Sequence, residues 1–158
     1  MKPVIRKLGP GDLADIVSLI REFAEFENLI SYCAVNEDRL YHAMFAKDAI
    51  VEGYAVSVDD ILIAYALFYP GFSSFRGELG FNLEDLYVRK EYRGKGIGKM
   101  LLQKVAKSAR DRGFVRLDLM VNSQNSAARA FYEKLGASCN SDERHFKFSD
   151  KAFKDLAS

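Results

Sequence analysis

The stretch Arg93-Gly94-Lys95-Gly96-Ile97-Gly98-Lys99 sets three alternating glycines among basic side chains. Glycine accepts backbone dihedrals closed to other residues and lets a ligand approach the main chain, so successive N–H groups can be turned toward one point. Ahead of a helix, where the positive end of the dipole is exposed, such a turn suits a phosphate. Two common phosphate patterns do not fit it. No glycine is followed five places later by Gly-Lys-Ser or Gly-Lys-Thr, because Lys99 precedes Met100, so this is not a nucleoside triphosphate P-loop. The dinucleotide pattern GxGxxG also fails: Gly98 comes one position too early after Gly94 and Gly96, and Asp118 falls mid-strand, poorly placed to hold a ribose.

A second kind of chemistry comes from carboxylates where apolar residues are due. Glu84 and Asp85 interrupt the run Leu83-Glu84-Asp85-Leu86-Tyr87-Val88, which reads as a central strand covered on both faces. Buried carboxylates cost several kcal/mol unless they are paired or meet a cation, so they ask for a reason. Adjacent residues point to opposite faces, so at most one of the two faces a cleft directly unless a bulge re-aims the strand. Glu84 shares a face with Leu86 and Val88 and is favoured as a general base, acting directly or through water. Asp85 is left to a structural ion pair or to the acceptor. In the first helix Ile16, Ile20 and Phe23 mark the apolar stripe, and Glu27 occupies the next position of that series. It either escapes to solvent at the helix end or, with Glu22, Glu25, Asp142 and Glu143, lines an acidic mouth for an extended cationic amine.

These residues belong to a chain of 158 residues, 49% hydrophobic and 28% charged. That length and mix fit a single globular domain with a sizeable core and exclude a disordered, collagen-like or disulfide-stapled chain. The longest apolar run lies near residues 61–69, short of the ~20 residues of a membrane span, and the first nine residues carry no hydrophobic signal core. A soluble, cytoplasmic protein with no membrane partner is expected. Cys33 and Cys139 lack a CxxC partner, and His42 and His145 lie outside any HExxH arrangement; thiols are expected reduced and no metal is expected. Between Arg89 and Arg112 nine Lys or Arg stand against Glu91 and Asp111, a local balance of +7 in a chain of net +1, so the remainder carries −6. Such asymmetry suits a protein that holds an anion in one region and attracts a cation in another.

The elements that position these groups follow from periodicity. Residues 4–8 read as a strand, and Asp12 caps a helix with apolar residues at Leu13, Ile16, Val17, Ile20, Phe23 and Ala24. Asn36 caps a shorter helix through Leu40, Ala43 and Met44. Residues 49–58 and 61–69 are β-branched and aromatic runs joined by Asp59-Asp60, a hairpin signature. After an irregular stretch at 70–77, residues 81–88 form a strand, and Ile97, Leu101, Val105 and Ala109 define a long helix ending near Gly113. Residues 115–121 alternate as a strand. Asn125 caps a helix with Ala128, Phe131, Tyr132 and Leu135 on one stripe, and Gly136 ends it. The tail at 137–148 is expected to add one or two strands. A hairpin meander combined with a strand–helix–strand unit requires a mixed sheet in an α/β sandwich.

The glycine turn carries the pattern Arg/Gln-x-x-Gly-x-Gly/Ala at Arg93, Gly96 and Gly98, and the later segment carries N-x-x-A-x-x-F-Y-x-x-x-G-(A/F) from Asn125 through Ala128, Phe131-Tyr132 and Gly136-Ala137. With both motifs in order, the chain resembles the GNAT superfamily of acyl-coenzyme A N-acyltransferases. Residues 19–27, 83–88 and 91–98 look like its diamine (spermidine/spermine) acetyltransferase branch, which includes members acting on lysine-like amino acids such as thialysine. The resemblance implies a GNAT-like fold, a mixed sheet flanked by helices and splayed between the strands at 81–88 and 115–121, with acetyl-coenzyme A in the V as cosubstrate. Its pyrophosphate would meet the amides of Arg93, Gly94, Lys95, Gly96, Ile97, Gly98 and Lys99. Leu86, Tyr87 and Val88 would offer backbone groups to the pantetheine and thioester carbonyl, and Asn125 its side chain to the pantetheine arm. Tyr132 would protonate the departing thiolate, as the tyrosine at this position does in the family. Glu27, Asp85 and Glu143 would receive a small cationic amine, and a homodimer is usual in this branch. Ser123-Gln124 and Glu143-Arg144-His145 replace the family's usual Asp-Trp and Glu-Gly-Trp, so the substrate walls are expected to differ.

Three other functions compete with this reading. The same scaffold serves acetylation of a protein or peptide amine. A non-catalytic coenzyme A-binding protein would keep the cradle without needing Tyr132 and Glu84. A nucleic-acid module is disfavoured because the basic residues are not interleaved with exposed aromatics on strands.

Overall fold

A computed structural model describes residues 2–158. The alternating runs form five strands, β1 (Val4–Lys7), β2 (Glu52–Val58), β3 (Ile61–Ser73), β4 (Glu78–Val88) and β5 (Arg116–Leu119), in one sheet ordered β1-β2-β3-β4-β5. The amphipathic stretches form α1 (Leu13–Phe26), α2 (Glu37–Met44), α3 (Ile97–Asp111), α4 (Ser126–Lys134) and α5 (Asp150–Leu156). The first three strand pairings are antiparallel and β4 pairs β5 in parallel, since α3 carries the chain back across the sheet between them. Contacts divide the chain into two compact units, one ending at Asn122 and holding the sheet with α1, α2 and α3, the other Ser123–Ser158 with α4 and α5.

In the first unit the two faces of the sheet are distinct. Tyr65 and Leu67 of β3 and Tyr87 of β4 join Ile16, Val17, Leu19 and Leu40 in one apolar cluster against α1 and α2. On the other face Tyr54 stacks on Phe68, and Phe81 meets both Phe68 and Phe114 edge-on, with Lys104 of α3 and Arg112 just beyond it over the Tyr54 and Phe81 rings. Leu101, Val105 and Ala109 bury the inner stripe of α3, the spacing the sequence shows. Among the described residues no helix is long and apolar enough to cross a membrane.

Three local expectations are corrected. The β3–β4 hairpin runs on through residues 70–77, with Pro70 opposite Phe81 and Ser73 opposite Glu78. Pro70 is tolerated because β2 pairs with β3 only as far as Phe68, so the missing N–H faces no partner strand. Asp12 does not cap α1 with its side chain; its carboxylate instead takes the Arg6 guanidinium at 2.7 and 2.8 Å and the Gly9 N–H at 2.8 Å, which hold its pKa below the usual range, the Arg6 hydrogen bond most of all. No strand forms in residues 137–148, and the tail ends in α5.

Candidate active site

Within the first unit the site residues gather where β4 leaves β5. The parallel ladder runs only from Gly80 opposite Arg116 to Leu83 opposite Leu119. Residues 84–88 continue along β3 alone, so their outward backbone groups line an open V, as the splayed sheet requires. At the mouth of the V the β3–β4 register slips: Leu67 lies opposite Asp85 and Phe68 opposite Leu83, which leaves Glu84 unmatched. This bulge re-aims the strand at the two carboxylates. Glu84 is exposed.

Beyond Val88 the chain makes one short helical turn, Lys90–Tyr92, and enters the glycine segment. Arg93 donates its Nε–H to the Val88 carbonyl at 2.7 Å, and its guanidinium lies 4.4 Å from the Phe26 ring centroid and 5.5 Å from that of Tyr87. Gly94 and Gly96 adopt φ of 73° and 80°, left-handed backbone that L side chains enter at a cost of about 1–2 kcal/mol. A Cβ at either would meet no atom within 4 Å, so the surface above the turn is open. Ile97, 3% exposed, pegs the first residue of α3 into the core. Lys99 projects from the first helical turn, which holds no acidic residue, and Lys95 lies 5.5 Å from the Tyr92 ring centroid. The Arg93 N–H is taken by the Lys90 carbonyl at 3.2 Å, so the fit to a pyrophosphate rests on the amides that follow it, the helix N-terminus and the Lys95 and Lys99 cations.

The end of α1 is tied to the end of β4. Arg89 grips Glu22 through Nε–Oε2 at 3.0 Å and Nη2–Oε1 at 2.7 Å, and Phe23 packs on Tyr87 with ring centroids 5.3 Å apart. The Glu22 charge is thereby engaged by Arg89 rather than offered to an acidic mouth. Glu27, half-buried, is the C-cap of α1, its N–H bonded to the Phe23 carbonyl at 3.0 Å.

Among the described residues Asp85 makes no ion pair. The Tyr65 hydroxyl donates to its Oδ2 at 2.8 Å. The residue is half-buried as a whole and its carboxyl end is enclosed, which pushes its pKa up to about 6; the Tyr65 hydrogen bond pulls the other way and the Glu84 charge adds to the rise. Burial also raises the Tyr65 and Tyr87 hydroxyls. Sequence reading missed the partnership because β3 looks uniformly apolar, and a tyrosine in such a run reads as packing. The clue available was the inverse one: a strand carboxylate with no nearby cation in sequence needs a hydroxyl or amide donor.

The second unit carries the remaining predicted residues. Asn125 is the N-cap of α4, its Oδ1 accepting from the Ala128 N–H at 3.0 Å. Tyr132, half-buried, meets the Phe131 ring edge-on at 5.0 Å. Glu143 is exposed in the irregular stretch after α4. Among the described residues no cluster of His, Cys, Asp and Glu could hold a metal ion.

Residues 16–137 match the family model described as Acetyltransferase (GNAT) family. The chain is 34% identical over 167 residues to the thialysine N-epsilon-acetyltransferase of Bos taurus, covering 98% of this chain and 96% of that protein. It is 42% identical over 81 residues to an L-ornithine N5-acetyltransferase of Arabidopsis thaliana, 51% of this chain and 36% of the other. Among solved structures, an integron cassette protein from the mobile metagenome of V. cholerae superposes with a TM-score of 0.82 at 26% identity, over 99% of this chain and 98% of that one.

Proposed function

The chain belongs to the GNAT acetyltransferase family, and on that premise we propose that it moves an acetyl group from acetyl-coenzyme A to a primary amine of a small cationic substrate, a diamine or a lysine-like amino acid, by direct transfer. The observation that carries the reading is the junction of β4 and α3: an open strand edge with two carboxylates at its bulge, running into a cationic glycine turn. The thialysine and ornithine acetyltransferases it resembles act on amines of this class by name. The family match also runs across the boundary at Asn122, which supports one catalytic domain made from the whole chain. We further propose a homodimer working in the cytoplasm, with neither nucleic acid nor membrane as partner.

When bound, acetyl-coenzyme A supplies a thioester carbonyl open to attack and a thiolate leaving group. The amides of Gly94, Lys95, Gly96, Ile97, Gly98 and Lys99, with the cations of Arg93, Lys95 and Lys99, would hold the pyrophosphate. Backbone groups of Leu86, Tyr87 and Val88 pair with the pantetheine as a missing strand would, and the Asn125 side chain completes its binding. Glu84 takes a proton from the acceptor ammonium, directly or through water; the freed amine forms the C–N bond as the C–S bond breaks, Tyr132 gives a proton to the departing sulfur, whose thiol pKa of about 8.5 makes it a moderate leaving group, and the second proton shed by the nitrogen restores Tyr132 through solvent. Glu27, Asp85 and Glu143 hold the second positive charge of the acceptor.

The test is thiol release from acetyl-coenzyme A with spermidine, putrescine, lysine, thialysine and a peptide as acceptors. Turnover with one or more of the four small amines is expected. Activity confined to the peptide overturns the acceptor class, and thiol release with none of them overturns the transfer reading.

A further inference from the structure

We propose that Tyr65 is a positioning residue for this transfer: its hydroxyl, fixed inside the core, holds the Asp85 carboxyl at the bulge beside Glu84, so that the acceptor meets two oriented carboxylates instead of one. The inference deepens the acetyl-transfer reading and rests on it.

Tyr65 is 0% exposed, and its hydroxyl donates to Asp85 Oδ2 at 2.8 Å. It lies opposite Tyr87 on the neighbouring strand, while Asp85 lies opposite Leu67, so the hydroxyl reaches diagonally along the ladder. Phenylalanine would fill the same volume without burying a hydroxyl, and asparagine in place of Asp85 would accept the same bond without burying a charge. A fold that keeps both at a strand bulge has fixed a carboxylate where an apolar sheet face would otherwise stand. The bulge makes the pair usable, because Glu84 drops out of the ladder and the two neighbouring carboxyls no longer obey strict alternation.

The groups facing the pair are Glu84 and Tyr87 on β4 itself and the Cys33 thiol from the segment after α1. Glu22 of α1 faces Tyr87 together with Arg89 and Arg93, and Glu22 is neutralised by Arg89. The opposing influences on Asp85 are burial and the Glu84 charge against the Tyr65 hydrogen bond, so the Tyr65 hydroxyl favours the ionised carboxylate.

The experiment compares the full-length wild-type protein with Tyr65→Phe. Expected is a shift of the acid limb of the kcat/KM profile for the acceptor by about one pH unit toward alkaline. The acceptor KM rises at pH 6.5 and is restored at pH 8.5, and acetyl-coenzyme A affinity is unchanged. Asp85→Asn abolishes that limb, and adding Tyr65→Phe to it causes no further shift. Carboxyl-carbon NMR of 13C-aspartate-labelled protein, assigned with Asp85→Asn, follows the same titration without turnover. A Tyr65→Phe protein that loses melting temperature while both titrations stay in place overturns the proposal and leaves Tyr65 as packing. If no amine is acetylated but the NMR titration moves, the transfer reading fails and the hold of Tyr65 on Asp85 stands.

Discussion

At the scale of single residues, Asp85 places function and stability in opposition. Burial pushes its carboxyl pKa up to about 6 in the folded chain, against about 3.9 for a solvated aspartate. The folded state therefore binds the proton more tightly than the unfolded one, so the contribution is present below about pH 4 and is lost as pH rises through 6. Asp85→Asn keeps an acceptor for Tyr65 and removes the charge. It should raise the melting temperature at pH 7.5 and change it little at pH 4, with a gain of up to ~3 kcal/mol at about 1.4 kcal/mol per pKa unit; an equal gain at both pH values would show that burial of the charge is not the cause. The sequence announced the conflict, since a carboxylate in Leu83-Glu84-Asp85-Leu86 demands an explanation, but the answer came from a strand 20 residues away that local pattern cannot supply. Tyr132 is singled out by its motif alone, and its stripe with Ala128 and Leu135 reads equally as packing. Tyr132→Phe removes only the hydroxyl, so a general-acid role predicts turnover lower by about 10²- to 10⁴-fold with nearly unchanged acetyl-coenzyme A affinity. A loss below threefold with chemistry rate-limiting would assign the residue to packing.

At the scale of elements, the β4–α3 junction was the most readable part of the chain. Three glycines and a helical stripe beginning at Ile97 fix where the strand must end and the helix begin, and the structure agrees to the residue. The register was not readable, because the slip opposite Leu67 and Phe68 depends on how two apolar strands mesh rather than on either alone. The left-handed backbone at Gly96 also shapes the choice of test, since a β-branched residue there would strain the turn whether or not a ligand binds. Lys99 is the cleaner probe. It is exposed on the first turn of α3, where glutamate stabilises a helix through its dipole while repelling a phosphate. Lys99→Glu should therefore leave the melting temperature unchanged or slightly higher and weaken acetyl-coenzyme A binding about tenfold or more, as exchanging a charge-assisted contact for a repulsion implies. Unaltered binding would remove the pyrophosphate from this turn.

At the scale of the whole molecule, the mixed character of the sheet and the placement of the helices were legible through Asn122 because each element's period declares its buried face, whereas the strand order came from the structure. The tail was not: Phe146 and Phe148 alternate with Lys147 as a strand would, yet both are exposed and unpaired in any ladder, because a strand exists only by pairing and periodicity does not name the partner. Charge asymmetry was legible throughout. The basic block between Arg89 and Arg112 leaves a net of −6 on the rest of the chain, so the proposed transfer predicts two substrates drawn by fields of opposite sign, each weakened by salt. A diamine offers its second ammonium to the acidic groups around Glu27 and Asp85, whereas a monoamine of equal length does not. The diamine should accordingly be preferred in kcat/KM, and the preference should fall as ionic strength rises from 0.01 M to 0.15 M, over which the Debye length shrinks from about 30 Å to about 8 Å. Glu27→Gln keeps size and removes one charge partner, so it should raise the KM of the diamine several-fold and that of the monoamine little. Steady-state kinetics on the matched pair decide the matter: equal responses of both amines to salt and to Glu27→Gln would mean that the second charge is not recognised, and the acceptor would have to be sought among amines without one.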